Sequence, residues 1–172
     1  MAKSITQRLE LLTNVAIIVA AVLLSVVLIR NYLLPDRSNN GPRDSRVTAG
    51  TQVSLPGVNW SNNNQTLLLV LQKGCHFCTE SAVFYQRLVR ETVGHGNIHL
   101  IAVLPQATDE GKKYLEDLGV TIEEVKQAKL DSIGVHGTPT LILVNDRGVV
   151  MNSWVGKLSA DGEAEVLRRL VS

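Results

Sequence analysis

The stretch LVLQKGCHFCTESAVFYQRL, residues 69 to 88, carries both cysteines of the chain, Cys75 and Cys78, with two residues between them. Its first half belongs to a continuous apolar run that starts at Thr66 (TLLLVLQ, 66–72), the pattern of a short strand covered on both faces. Its second half changes period. Ala82, Tyr85 and Val89, with Phe84 and Leu88 alongside, recur at three- and four-residue spacing, as on the buried side of a helix. The cysteines therefore fall where a strand ends and a helix begins, with Cys75 at or just before the first helical turn and Cys78 one turn inside.

That placement has a chemical consequence. Unpaired amide N–H groups and the positive end of a helix stabilise a thiolate, and they bring a cysteine pKa from about 8.5 into a range of roughly 3.5 to 7.5. A thiolate is the attacking species in disulfide exchange, and a second sulfur held within reach resolves the mixed disulfide. Other uses of the pair fit less well. Structural zinc wants four ligands, and His76, His95, His99 and His136 are scattered without ligand spacing. Covalent haem attachment needs a histidine directly after the second cysteine, where Thr79 stands. Two inert core thiols remain the structural alternative.

Composition narrows the class. A chain of 172 residues with 45% hydrophobic content suits one ordinary domain plus accessory sequence. A net charge of +1 supplies no basic field for nucleic acid, so none is expected as a partner. Two cysteines make at most one disulfide, which excludes a cysteine-stapled mini-scaffold.

The amino end differs from the rest. After a tail of residues 1–10, LLTNVAIIVAAVLLSVVLI runs from Leu11 to Ile29 with no charge between Glu10 and Arg30. At about 1.5 Å per residue such a helix crosses most of a hydrocarbon core of roughly 30 Å, and residues 31–34 extend it into the interface. A transmembrane anchor is expected over 11–34, uncleaved; the alternative is a cleavable signal peptide with Lys3 and Arg8 as its n-region, but no small-x-small site follows Ile29 except the distant triplet VTA (47–49). Lys3 and Arg8 before the span, against Arg30, Arg37, Arg43 and Arg46 after it, point the following domain toward the cytoplasm if counted literally. The rule weakens when a long folded domain follows. Residues 35–50, PDRSNNGPRDSRVTAG, read as a flexible linker.

Residues 51–172 form the expected domain. IHLIAVL (98–104) is a second strand, ATDEGKKYLEDLG (107–119) a polar helix, and 121–133 a further helical or irregular segment. TLILV (140–144), the turn NDRG (145–148) and VVMNSWVG (149–156) make a hairpin. SADGEAEVLRRLVS (159–172) closes the chain as a helix, with Ser159 as N-cap and Val166, Leu167, Leu170 and Val171 facing inward. This order is α/β, with a parallel start and an antiparallel finish and helices expected over both sheet faces.

KGCHFCTES (73–81) followed by GVHGTPTLILVNDRG (134–148) resembles the thioredoxin superfamily, in which a C-x-x-C at a helix start is matched by a cis-proline loop just before a strand. The resemblance spans about residues 51–172 and implies a thioredoxin-like fold, a central mixed sheet flanked by helices. It implies Cys75 as the attacking and Cys78 as the resolving sulfur, a redox disulfide between them, and Thr138 and Pro139 lining the substrate groove. Phe77 is expected to offer an apolar surface to the partner protein, and His76 to tune the neighbouring thiolate. The anchor, the lead-in VSLPGVNW (53–60) and the 61 residues from Cys78 to Pro139 are similar to membrane-tethered TlpA/ResA-type and MauD-type proteins. Those proteins act on the outer side of bacterial cytoplasmic membranes, which overrides the arginine count. The implied activity is thiol:disulfide exchange with protein thiols or disulfides and with an upstream redox donor or acceptor, and it needs no cofactor because electrons travel through sulfur.

Several positions depart from the pattern. Leu69 stands where thioredoxin carries a buried carboxylate, Gly74 replaces the tryptophan usual before the first cysteine, and the dipeptide lacks proline. Glu80 is expected to face solvent. A second functional class is a Sco-like copper chaperone using Cys75, Cys78 and His136, since thiolates and imidazole suit copper. Sco-type cysteines are spaced by three residues, not two.

Overall fold

Strand β1 (Gln65–Val70) lies at the centre of a five-stranded sheet, which explains its unbroken apolar run. It pairs in parallel with β2 (Ile98–Leu104) and antiparallel with β4 (Thr140–Asn145). Outside these lie β3 (Glu124–Gln127), parallel to β2, and β5 (Val150–Val155), antiparallel to β4, giving the order β3-β2-β1-β4-β5. The coordinates are a computed structural model that describes residues 18, 19, 22, 24, 47–95 and 98–171.

Side chains alternate cleanly across the sheet. Leu67, Leu69 and Leu71 of the first strand region, Ala102 and Leu104, and Leu141 and Leu143 face one core. Leu68 and Val70, Ile101 and Val103, and Ile142 and Val144 face the other. Leu67, Leu68 and Leu69 are fully buried, each contributing about 1.5–3 kcal/mol in transfer free energy. The first core is closed by the helices α2 (Ala82–His95), α3 (Thr108–Asp117) and α4 (Ala160–Val171), through Leu88, Leu115 and Val166 among others. The second core is closed by irregular chain: Val47, Val53 and Leu55 on one side, Ala128, Ile133 and Val135 on the other. The α-helices thus supply one layer, and loops with a short 3₁₀ turn the second, in place of helices over both faces.

Val47 is buried, and Ser153 Oγ donates to its carbonyl at 2.8 Å, so the packed domain takes in residues written above as linker. Strand β3 lies where the sequence suggests a helical or irregular segment. Of its four residues only Val125 is buried, so it shows too little apolar alternation to be read from sequence. A 3₁₀ turn (Leu130–Ile133) follows it. In the β4–β5 hairpin Gly148 has φ of 73°, and Asn145 Oδ1 accepts from the N–H groups of Arg147 and Val149, both at 3.0 Å. Ser159 Oγ accepts from Gly162 N at 3.3 Å at the start of α4.

The transmembrane expectation for 11–34 falls almost wholly outside the described residues. Ile18, Val19, Val22 and Leu24 are described; all are helical and exposed. Among the described residues no helix is long and apolar enough to cross a membrane.

Candidate active site

The chain leaves β1 through Gln72 and Lys73 and turns at Gly74, whose φ of 81° favours glycine. Lys73 holds this approach by an ion pair to Glu110 at 2.6 Å, and its N–H donates to Gln106 Oε1 at 3.4 Å. Cys75 then caps the short helix α1 (His76–Glu80), with Sγ accepting from the Cys78 N–H at 3.2 Å. Its carbonyl accepts from Thr79 N at 3.2 Å, so the helix starts on the cysteine itself.

At Ser81 the helix is interrupted before it resumes as α2. Ser81 Oγ donates to the Phe77 carbonyl at 2.8 Å, and this back-bonding to the preceding turn competes with the regular ladder. The helix that the sequence places after Cys75 is thus two segments, His76–Glu80 and Ala82–His95.

Cys75 and Cys78 are joined by a disulfide, with Cα atoms 5.2 Å apart. The two sulfurs are unequal. Cys78 is fully buried in the helix-side core, whereas Cys75 is half-buried. Only the first sulfur is open to an incoming partner.

The loop before β4 closes over that sulfur. The Thr138–Pro139 bond is cis, and the Thr138 carbonyl oxygen lies 3.4 Å from Cys75 Sγ. Thr140 Oγ1 donates to the Gly137 carbonyl at 2.8 Å, and Gly156 N donates to the Pro139 carbonyl at 2.7 Å. These bonds fix the loop between β4 and the end of β5. The structure thus brings Cys75, Cys78, Thr138 and Pro139 together from positions up to 64 residues apart in sequence.

Phe77 projects from α1, 53% exposed, its ring 5.6 Å from that of His76. His76 is still more exposed and pairs with Glu80 at 3.2 Å. Glu80 also binds Lys157 at 3.0 Å, and this lysine hydrogen bond holds the Glu80 carboxyl below its ordinary pKa. Sequence reasoning missed Lys157. It lies 77 residues from Glu80, and nothing local marks it.

Leu69 is buried beneath the site, and among the described residues no carboxylate is buried. Burial raises the Tyr85 phenol well above its ordinary pKa, so it stays protonated and supplies no base. His136 faces Asp131 at 3.4 Å, and among the described residues no three His, Cys, Asp or Glu side chains gather as a metal-holding group. The copper ligand set of Cys75, Cys78 and His136 is not assembled there.

No protein-family model matches the sequence, and no curated protein is detectably similar to it. Solved structures are similar in fold. A candidate thiol:disulfide interchange protein DsbE from Chlorobium tepidum superposes with a TM-score of 0.57 at 22% identity, over 74% of this chain and 100% of that one. The thioredoxin domain of a thiol-disulfide oxidoreductase from Bacteroides vulgatus gives 0.57 at 16% identity, over 74% and 100%. A thiol:disulfide interchange protein from Bacteroides sp. gives 0.55 at 17%, over 74% and 91%. At these identities the likeness establishes a thioredoxin-like fold.

Proposed function

We propose that the protein is a membrane-anchored thiol:disulfide oxidoreductase that exchanges electrons with partner proteins on the outer side of a bacterial cytoplasmic membrane. The observation that carries this reading is the inequality of the two sulfurs, one open and capping a helix opposite Thr138, the other buried one turn inside. In the reducing direction the Cys75 thiolate attacks a partner disulfide, forms a mixed disulfide and expels one partner thiolate, which takes a proton. Cys78 then gives up its proton and attacks the Cys75 sulfur, releasing the second partner thiolate, which is protonated in turn. Two electrons pass to the partner with two protons, and the Cys75–Cys78 disulfide is left; oxidation of a partner is the same sequence reversed.

Thr138 and Pro139 line the side of Cys75 that a substrate chain approaches, and Phe77 adds exposed apolar surface beside it. His76, when protonated, stabilises the adjacent thiolate. No cofactor is needed for these steps. The anchor is supported by the charge-free run from Leu11 to Ile29 and by the exposed apolar side chains at its described positions. The outer-side placement is supported by the chemistry, since disulfides persist in oxidising compartments.

The test is a pair of variants. Cys75→Ser abolishes exchange, and Cys78→Ser accumulates a mixed disulfide with the partner; full activity in both variants rejects the mechanism. A reporter fused after Ser172 reads the topology, and a cytoplasmic signal rejects the outer-side placement.

A further inference from the structure

A groove of about 150 Å³ is lined by Glu80 of α1, Val83, Arg87 and Arg90 of α2, Lys157, and Glu163 of α4. Its acids are already committed. Glu80 binds Lys157 at 3.0 Å and His76 at 3.2 Å, and Glu163 binds Arg87 at 3.0 Å. Two of its three cations, Lys157 and Arg87, are taken up in those pairs. Arg90 has no acidic partner among the described residues, and Arg87 Nε is buried without a hydrogen-bond acceptor. The Arg87 guanidinium is held in place over the Phe84 ring, 5.7 Å from its centroid. Val83 is 75% exposed, a single apolar side chain on a charged rim.

The groove therefore carries three cations against two carboxylates, both carboxylates paired and Arg90 left over, beside an apolar contact. We propose that it docks an acidic segment of the partner protein, a carboxylate beside an apolar side chain, while the partner's sulfur reacts at Cys75. This deepens the oxidoreductase reading and rests on it. A carboxylate matches the planar fork of a guanidinium, whereas a basic segment would meet three cations and no unspent acid. The groove is continuous with the reactive site, because Glu80 touches both Lys157 in its wall and His76 beside the attacking sulfur.

The experiment measures single-turnover exchange between the reduced full-length chain in detergent and three probes. Two are synthetic peptides carrying one cysteine as its 2-thiopyridyl disulfide, identical except that one has Glu and the other Lys beside a leucine a few residues away. The third is the small neutral disulfide 2,2′-dithiodipyridine. The acidic peptide is expected to react roughly fivefold faster than the basic one at low salt, with the preference shrinking as salt screens it. In Arg90→Glu, at a residue whose change breaks no ion pair, the acidic-to-basic rate ratio falls to about one or below. Arg87→Gln lowers the same ratio. Equal rates for both peptides with the unaltered chain, or a preference that survives both substitutions, overturns the docking proposal while reaction with the neutral disulfide keeps the oxidoreductase reading. Failure of all three probes to react removes both.

Discussion

Cys75 Sγ lies 3.4 Å from the carbonyl oxygen of Thr138, a residue 63 positions further along the chain. That oxygen accepts a hydrogen bond from the protonated thiol but repels the thiolate. The Cys78 N–H at 3.2 Å acts in the opposite sense, since it donates to the sulfur whatever its charge. The two contacts oppose each other, so a further charge near the sulfur shifts the balance.

His76 is the nearest ionisable side chain in sequence, tethered by Glu80. His76→Ala is expected to destabilise the Cys75 thiolate and lower the reduction potential of the pair by roughly 10–30 mV, about 30 mV corresponding to a tenfold change in the exchange equilibrium. Equilibration with glutathione redox buffers at pH 7 measures it. An unchanged potential assigns His76 to the surface alone.

Gly74 sets the direction in which the chain enters the site. A Cβ built there meets nothing within 4 Å, so the cost of Gly74→Ala comes from the backbone alone, at φ of 81°. The expected loss is about 1 kcal/mol, read as a lower midpoint in chemical denaturation. A neutral or stabilising effect would contradict the left-handed conformation.

Glu124 ties β3 to β2 through His99 at 2.6 Å and also binds Lys126 at 3.0 Å. Partial burial raises its pKa, but the hydrogen bonds to His99 and Lys126 and their charges outweigh that, and the net shift is downward. A folded-state value below the unfolded one means stability that is fully present above the ordinary carboxylate value and lost as the pH falls through the lowered one. Glu124→Gln is expected to cost about 0.5–1 kcal/mol at pH 7 and progressively less in acid below the ordinary carboxylate range, as measured by denaturation at a series of pH values. A cost that stays constant into strong acid would contradict the ion-pair origin.

The parts of the fold that sequence reveals are those whose pattern is local. The runs at 66–72 and 98–104 are apolar because β1 and β2 are covered on both faces, and the change of period after Cys75 marks the helix start. Pro139 after Thr138, before an apolar strand, points to the loop that meets Cys75. Strand β3 escapes because one buried valine in four residues is no alternation, and the break at Ser81 escapes because nothing in the local apolar period marks it. The second core layer, built from Val47, Val53, Leu55 and residues 128–135, has no helical or strand period of its own. Lys157 pairs with Glu80 and Arg87 with Glu163, each partner more than 70 residues away in sequence.

Differential alkylation bears most directly on the division of labour between the sulfurs. The freshly reduced chain is treated briefly with iodoacetamide at neutral pH and mapped by mass spectrometry, with the fully denatured chain as reference. Cys75 should be modified rapidly and Cys78 protected until denaturation, as half-buried and fully buried positions require. Equal labelling of the two, labelling of Cys78 first, or a Cys75 as inert as Cys78 would contradict an attacking sulfur at position 75.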